Sequence, residues 1–339
     1  MAFHPKEPWL ATAGDETTIR LWNVNTGNMI REFVGHALTI HGLAFAPDGQ
    51  TLATGGADGV IRVWNVADGS LLRWLVLDPR ARKPPPAPPE PPDRQPWTQI
   101  AWLGFGFEGE RLVALGSNGS VGVWRTSDGA LLKVVDPLED PTKKVALESK
   151  GRFLWGYSLN GEVAQLDLES GVWRALRKSE REQRLGNWND LAVTRDGERL
   201  VLGGRNRVVQ SLDTKDGRSV GRLLGHHEGV GAVALAPRGD QVVSGDSGGV
   251  IKSWSRLSPL VPRVLKDHVL SARVVAVSPD GARLASAGDD LAVKVWNLST
   301  GERELSLGKH VYNRRPNGTM ESIDTYAGHG GQITGLAFH

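Results

Sequence analysis

The sequence predicts an all-β protein, a closed ring of seven four-stranded antiparallel sheets. Three observations lead to this prediction: a repeat of 42 residues, tryptophans spaced at that repeat, and short alternating segments separated by Gly and Asp turn residues. The chain of 339 residues contains 42 Gly and 12 Trp but only 3 Tyr. This composition indicates many tight turns and one recurrent structural place for Trp.

The repeat is clearest where residues 10–27, LATAGDETTIRLWNVNTG, align with residues 52–69, LATGGADGVIRVWNVADG, at a shift of 42 residues. Residues 284–301 fit the same template. Trp marks one place in five copies and Leu marks it in two, which gives seven copies at Trp22, Trp64, Trp124, Leu166, Leu212, Trp254 and Trp296.

Each copy contains four short segments with period-two alternation, and Asp-Gly pairs between them favour hairpin turns. A unit of this size cannot bury both faces of its sheet alone. Stacking the copies radially buries those faces between neighbours and leaves only short edges. We therefore predict one seven-bladed β-propeller over residues 1–339.

The two ends of the chain fit the same register. Leu336–His339 align with Met1–His4, and Phe338 takes the place of Phe45 in the second copy. Because Met1–His4 is short for an inner strand, we expect Gln332–Phe338 to complete the first blade beside Trp9–Gly14 and to close the ring. A rival interpretation is that the chain is a piece of a longer array.

Charge and composition restrict the possible functions. With 40 basic and 38 acidic residues, the net charge of +2 disfavours a dedicated nucleic-acid or membrane surface. There is no cysteine, which fits a reducing cytoplasm. We find no signal peptide in the first 30 residues and no apolar run near the ~20 residues that span a bilayer. We expect a cytoplasmic protein.

These motifs resemble the WD-repeat family of β-propellers. The family pattern joins a Gly-His pair, a Ser or Thr on the second strand, an Asp in the next turn and the repeated Trp. The resemblance implies that these four side chains form a buried hydrogen-bonded network, which is stabilising when every member is satisfied. The matching residues are His36, Thr54, Asp58 and Trp64 in the second copy, and His268, Ser286, Asp290 and Trp296 in the seventh.

Other copies match this pattern in part. The first copy has Thr12 and Trp22, and its histidine would be His329 from the far end of the chain. The sixth has His226, Ser244 and Trp254, with Gly248 in the acidic place. The third to fifth copies lack most of the network, so we expect apolar packing to hold those blades.

Three insertions break the period, at residues 78–96, 177–187 and 308–328. Each follows an outer strand and precedes the next inner strand, so all three emerge on one face, which family members commonly use for partners. The Pro-rich first insertion is compatible with a solvated loop, a lid, or a docking segment for an SH3- or WW-type module. The candidate partner-binding residues are Arg80, Arg82, Lys83, Trp97, Arg181, Trp188, Arg314 and Arg315.

No catalytic or metal-binding constellation is apparent. His226, His227 and Glu228 are adjacent, but the network position already explains His226, and no other His has metal-ligand spacing. The Ser, His and Asp combinations fall inside the network. We therefore predict no catalytic residues, no metal and no cofactor.

The function that we predict is a non-catalytic scaffold that binds a protein or peptide through the insertion-bearing face and the channel mouth. The alternative is a small-molecule-binding or enzymatic propeller that uses the central channel. We expect neither nucleic acid nor a membrane as a partner, and a monomer for the isolated ring. The chain boundaries are also compatible with a part of a larger multidomain protein.

Overall fold

The computed structural model describes residues 1–15, 17–77, 98–137, 142–148, 150–158, 160–177, 188–255, 258–307, 310–314 and 320–324. Within these residues the chain forms seven four-stranded antiparallel sheets and one two-stranded hairpin. Among them, none forms a helix with the length and apolar character that a bilayer crossing requires. The predicted all-β ring of seven blades is confirmed.

The first four blades follow one another along the chain. Blade 1 contains β1–β4, at Ala2–Phe3, Trp9–Thr12, Thr18–Asn23 and Met29–Val34. Blade 2 contains β5–β8, at Ile40–Phe45, Thr51–Gly56, Ile61–Asn65 and Leu71–Leu75. Blade 3 contains β9–β12, at Ile100–Gly106, Arg111–Gly116, Val121–Arg125 and Leu131–Val135. Blade 4 contains β13–β16, at Thr142–Leu147, Phe153–Ser158, Val163–Asp167 and Val172–Arg177.

The remaining blades have the same organisation. Blade 5 contains β17–β20, at Trp188–Val193, Arg199–Gly204, Val209–Asp213 and Ser219–Leu223. Blade 6 contains β21–β24, at Val230–Leu235, Gln241–Asp246, Val250–Ser255 and Ser258–Lys266. Blade 7 contains β25–β28, at Ala272–Val277, Arg283–Gly288, Val293–Asn297 and Arg303–Leu307. The hairpin pairs β29, His310–Arg314, with β30, Met320–Asp324.

Tight turns join the strands of each blade in chain order, from the inner strand to the outer one. The turn between β6 and β7 contains Asp58 and Gly59, and Gly59 has φ +71°, a conformation that glycine adopts without steric cost. In the same turn Asp58 Oδ1 accepts the Val60 N–H at 3.1 Å. This Asp-Gly turn therefore helps to fix which residues of β6 and β7 stand opposite each other, and thus which side chains face each neighbouring blade.

The core consists of seven apolar clusters, one at each seam between neighbouring blades. At the seam of blades 1 and 2, for example, Leu21 and Phe33 pack against Leu43 and Trp64. A blade therefore buries both faces only by having two neighbours. Burial of apolar area at about 25 cal/mol per Å² makes the complete ring the stable unit.

Blade 7 and blade 1 close the ring through such a seam, in which Met1, Phe3 and Leu10 share one cluster with Val274 and Val293. Met1–His4 contributes a strand of two residues to blade 1, which is short for an inner strand as the sequence predicts. Ala2 and Phe3 pair with Ala11 and Leu10 in the inner-strand place, and Met1 is fully buried, so that packing across the seam anchors this short strand. Gln332–Phe338 and His329 lie outside the described residues.

The connectivity defines two faces of the ring. Inner strands begin, and outer strands end, on one face, which also carries the turns between second and third strands. The first two insertions connect an outer strand to the next inner strand, and the third follows the outer strand of blade 7. All three therefore leave from this face, which we call the insertion face. Residues 78–97 and 178–187 lie outside the described part of the chain, as do 308–309, 315–319 and 325–339.

Candidate functional site

A buried chain of hydrogen bonds runs through blade 2. Trp64 Nε1–H donates to Thr54 Oγ1 at 2.8 Å, and the Thr54 hydroxyl donates to His36 Nε2 at 2.8 Å. His36 Nδ1–H donates to Asp58 Oδ2 at 3.0 Å, and Arg62 Nη1 lies 2.6 Å from the same oxygen. All four network side chains are at most 5 % exposed. These hydrogen bonds connect Thr54 on the second strand and Trp64 on the third strand to His36, which lies in the segment before the inner strand.

Blade 7 repeats this arrangement with different residue types. Trp296 Nε1–H and His268 Nε2 each lie 2.8 Å from Ser286 Oγ, and His268 Nδ1 lies 2.8 Å from Asp290. In blade 1, Trp22 Nε1–H donates to Thr12 Oγ1 at 2.8 Å. His329, which the sequence assigns to this blade, is outside the described residues.

The environment of these groups explains their protonation. Burial lowers the pKa of His36, and the hydrogen bond with Asp58 only partly offsets it. Burial raises the pKa of Asp58, but the hydrogen bond from His36 and the charge of Arg62 outweigh it and hold the pKa at about 2. Desolvation and hydrogen bonding therefore favour a neutral imidazole beside a carboxylate.

Blade 6 corrects one sequence prediction. Its acidic member is Asp246, at the end of β22, and not a residue at the place of Gly248. Asp246 Oδ2 lies 2.7 Å from His226 Nδ1, while Ser244 Oγ lies 2.7 Å from His226 Nε2 and 2.8 Å from Trp254 Nε1. Gly248 leaves room for this substitute, because a Cβ there would lie 3.3 Å from Asp246 Oδ1.

Blades 3, 4 and 5 have no hydroxyl at the network position on their second strands. The strand register places Ala114, Gly156 and Leu202 there, where blade 2 has Thr54. Trp124, Leu166 and Leu212 are buried at the repeat place, each within an apolar seam cluster. The complete networks therefore lie on one continuous side of the ring, in blades 6, 7 and 2, with the partial network of blade 1 between them.

The networks combine His, Ser or Thr, and Asp as a hydrolase does, but their burial makes them structural. Each histidine holds its hydroxyl and its carboxylate inside a single blade, and no member is more than 5 % exposed. A nucleophile must contact its substrate.

A one-residue bulge recurs at the start of six inner strands. In each, the second residue of the strand is the extra one, between two partners of the neighbouring strand. Such bulges redirect a side chain and interrupt the pleat. The bulged residues lie at the insertion-face end of the channel and are His41, Ala101, Lys143, Asn189, Gly231 and Arg273.

Two ion pairs surround the channel mouth. Lys144 Nζ lies 3.1 Å from Asp190 Oδ1, and Asp190 Oδ2 accepts the Val233 N–H at 2.9 Å, so that one carboxylate connects blades 4, 5 and 6. Arg273 Nη2 lies 2.8 Å from Asp289 Oδ2. Roughly half of the Lys144 and Arg273 side chains stays exposed, 46 % and 56 %. Both cations are therefore held in place and remain accessible.

The channel itself contains a cavity of about 210 Å³. His41, Trp102, Lys144 and Asp190 line it together with small and aliphatic residues of the inner strands. Burial lowers the pKa of His41. The sequence analysis does not identify Lys144, Asp190 or Arg273 as residues of the channel mouth.

Exposed apolar side chains complete the insertion face. Val34 is the last residue of the outer strand of blade 1, and Leu224 follows the outer strand of blade 5; they are 69 % and 63 % exposed. Val269 and Leu270 precede the inner strand of blade 7, next to Arg273, and are 53 % and 42 % exposed. The insertion face thus exposes apolar side chains together with charged ones, a composition found at interaction surfaces.

One predicted partner-binding residue is not available. Trp188 is 5 % exposed and packs with Trp155, Tyr157 and Leu202 at the seam of blades 4 and 5. It is the first residue of β17, a place occupied by buried residues in the other inner strands. Arg314 lies in β29, and the remaining predicted residues, Arg80, Arg82, Lys83, Trp97, Arg181 and Arg315, lie outside the described part of the chain.

Comparison with known proteins agrees with this geometry. The profile of the "WD domain, G-beta repeat" family matches residues 1–23, 27–65, 217–255 and 261–297. These segments cover most of blades 1, 2, 6 and 7, the blades that contain the hydrogen-bonded networks, and also the outer strand of blade 5. The sequence pattern and the buried network therefore identify the same side of the ring.

Several curated proteins are similar in sequence. Mouse striatin is 24 % identical over 326 residues, which cover 87 % of this chain and 40 % of striatin. An uncharacterized WD repeat-containing protein of Synechocystis is 29 % identical over 134 residues, 39 % of this chain and 37 % of its own length. Nuclear distribution protein PAC1-2 of Uncinocarpus reesii is 33 % identical over 98 residues, 26 % and 21 % of the two chains. The chain spans less than half the length of each of these relatives.

Proposed function

Given that this chain is a WD-repeat β-propeller, we propose that it is a non-catalytic scaffold that binds a protein or peptide through the insertion face and the channel mouth. The observation that carries the proposal is the group of exposed apolar and charged side chains around the mouth, Val269, Leu270, Arg273 and Lys144. A rigid ring loses little conformational entropy when it binds, so its loops can act as a preorganised surface.

Two features support this surface over the opposite face. A bulge stands at the second residue of six inner strands, at the insertion-face end of the channel, and the long insertions leave from the same face. The ion pairs of Lys144 and Arg273 hold charged groups in fixed positions without removing them from solvent. Electrostatic complementarity at such groups governs the specificity and the association rate of a partner.

A second candidate function is the binding of a small molecule inside the channel. The specific observation in its favour is the cavity of about 210 Å³, because His41, Lys144 and Asp190 all line it. A pocket with a few convergent polar groups is the usual form of a ligand site. The two candidates differ in what they require: a peptide needs the exposed apolar rim, and a channel ligand does not.

Selection of peptides on the purified chain tests the proposal. A peptide enriched from a displayed library is synthesised, and its affinity is measured by calorimetry. We expect Leu270→Asp to weaken binding by tenfold or more, an effect of about 1.4 kcal/mol or above, and deletion of residues 79–96 to change the affinity. Val172→Asp is the matched control, since Val172 is 62 % exposed but begins an outer strand on the opposite face.

The outcome that contradicts the scaffold proposal is also defined. If every selected peptide binds Leu270→Asp as well as the unaltered chain, or loses affinity only with Val172→Asp, the insertion face is not the binding surface. Light scattering on the purified chain tests our accompanying proposal that the isolated ring is a monomer.

A further inference from the structure

At four seams of the ring, a basic side chain of one blade reaches the next blade. These four residues occupy equivalent positions on the outer strands of their blades. Each of these side chains donates to a backbone carbonyl in the turn between the third and fourth strands of the following blade, with N···O distances between 2.5 and 2.9 Å. The four are Arg31, Arg73, Lys133 and Arg263. We call these contacts the basic latches.

Blade 5 lacks the latch residue. In its register Gly221 stands opposite Ser211, as Arg73 stands opposite Val63 in blade 2. No described atom lies within 4 Å of the position that a Cβ on Gly221 would take. The outer strand of blade 5 therefore sends no side chain across to blade 6 at this level.

The seam of blades 5 and 6 is also the most thinly packed one among the described residues. Its cluster of buried side chains has four members, Val201, Val209, Val230 and Val233. The cluster between blades 2 and 3 has thirteen. A thinly packed interface that has lost its bridging side chain leaves space between the sheets.

A cavity of about 290 Å³ occupies this space. Val201, Val209 and Leu223 form its wall on blade 5, and Val242 and Trp254 form its wall on blade 6. A dry apolar cavity of about 150 Å³ is enough to hold a benzene molecule. The cleft therefore has room for a ligand of roughly twice that size. Its lining includes the turns after the inner strands, so it lies towards the face opposite to the insertions.

The polar groups that line the cleft include two cations. These are Arg199 and Arg222, which are exposed together with Asp240, and the hydroxyl-bearing residues Thr194, Ser211 and Ser255 line it as well. Neither guanidinium forms an ion pair among the described residues, although Arg199 interacts electrostatically with Asp196, whereas Arg152 and Arg273 are paired. Two exposed guanidinium groups beside an apolar cleft complement a ligand with one negative end.

We propose that this cleft binds an unbranched aliphatic carboxylate of medium chain length. The alkyl chain lies between Val201 and Trp254, and the carboxylate accepts hydrogen bonds from Arg199 and Arg222. The apolar walls favour an alkyl chain over a peptide backbone, because buried amides without hydrogen-bond partners are costly. The site is independent of the proposed peptide surface, which is on the other face.

Titration of the purified chain with octanoate tests the proposal, with octylammonium as a ligand of equal length and opposite charge. We expect saturable one-to-one binding of octanoate by calorimetry and none of octylammonium. In a ¹H–¹⁵N spectrum, octanoate should shift the indole signal of Trp254, which is assigned from the Trp254→Phe variant. The indole signals of Trp22 and Trp296 at other seams should not move.

Two variants locate the site. Gly221→Leu fills the cleft without adding charge, as Leu305 does at the same register position in blade 7, and should abolish binding. The double variant Arg199→Gln and Arg222→Gln should weaken it about tenfold or more, because hydrogen bonds to charged groups are lost. Arg218→Gln removes a nearby arginine that does not line the cleft, and should have no effect.

Several results would overturn the proposal. These are no saturable binding of octanoate at millimolar concentration, equal binding of octylammonium, or full binding by the arginine double variant. If Gly221→Leu does not fold, the double variant and the Trp254 signal still decide the question. Saturation by acetyl-Glu-Leu-Glu-amide without any response to octanoate would assign the cleft to peptides and contradict the small-ligand proposal.

Discussion

Removing the hydroxyl of Thr54 interrupts the hydrogen-bonded network of blade 2 without changing the shape of the core. Thr54→Val replaces that hydroxyl by a methyl group of similar size. It leaves Trp64 Nε1–H without its acceptor and His36 Nε2 without its donor, both now at 2.8 Å from Thr54 Oγ1. Neither group can turn to solvent, since Trp64 is 2 % and His36 is 5 % exposed.

The size of the effect follows from these two contacts. A buried polar group without a partner costs about 1–3 kcal/mol, and the additional buried methyl returns about 0.8 kcal/mol. We expect Thr54→Val to lower the free energy of unfolding by about 1–5 kcal/mol. For a chain of this length, with an unfolding entropy of about 2.1 cal/mol/K per residue, the Tm should fall by about 2–7 °C.

Urea denaturation and calorimetry of matched variants measure the loss. Thr54→Ser keeps the hydroxyl, as Ser286 does in blade 7, and should lose about 1 kcal/mol for the missing methyl group. Thr26→Val changes an exposed threonine in a turn and should stay within about 0.5 kcal/mol of the unaltered protein. A Thr54→Val variant as stable as the Thr26→Val control would refute the view that the hydroxyl connects Trp64 to His36.

Three further outcomes follow from the packing, the latches and the ionisable groups. Trp188→Ala should cost about 3–5 kcal/mol in urea denaturation, as for a large buried aromatic, and a loss below about 1 kcal/mol would place Trp188 at the surface. Arg73→Met should cost about 1–2 kcal/mol by removing a basic latch, against a negligible change for exposed Lys150→Met; equal values would make the latch irrelevant. The folded state lowers the pKa of His36 below its ordinary 6.5 and that of Asp58 from 3.8 to about 2. The unfolded chain therefore binds these protons at higher pH than the folded chain does. The free energy of unfolding, measured in urea, should fall as the pH drops below 6.5 and again below 3.8. An increase in that free energy on acidification would contradict the prediction.

The sequence predicts the number of blades because each third strand has a large buried side chain, Trp or Leu, at the same position. Leu166 and Leu212 could be identified as substitutes for Trp, since they fall 42 residues from Trp124 and Trp254. The structure buries both at the same place of the third strand. Spacing of this kind depends only on chain length between equivalent strands, so it survives a change of residue type.

Details that depend on side-chain reach were less predictable. In blade 6 the acidic member of the network is Asp246, two residues before the position that the repeat predicts. A fixed spacing from Ser244 therefore does not locate it. Trp188 directly follows the insertion at residues 177–187, and the sequence analysis includes it among the candidate partner-binding residues. Its alignment with Ile40 and Ile100 at the start of an inner strand was the available signal of burial. Register, not proximity to a loop, decides exposure in a repeat of this kind.

The cations at the channel mouth illustrate a third limit. The bulge that directs Arg273 and His41 towards the mouth arises from strand pairing between neighbouring segments. A sequence alternation of period two cannot locate such an extra residue. The basic latches are similar, because Arg73 acts on a different blade from its own and its partners are backbone carbonyls without any sequence signature.

The most direct test of the central claim, a closed seven-bladed ring, is a cross-link across the seam of blades 7 and 1. Leu305 Cδ2 lies 3.5 Å from the position that a Cβ on Gly27 would take. With p-benzoylphenylalanine in place of Leu305, irradiation and mass spectrometry should give an intramolecular adduct on the turn at residues 24–28 of blade 1. Adducts confined to blade 7, or formed only between two molecules, would contradict the closed ring.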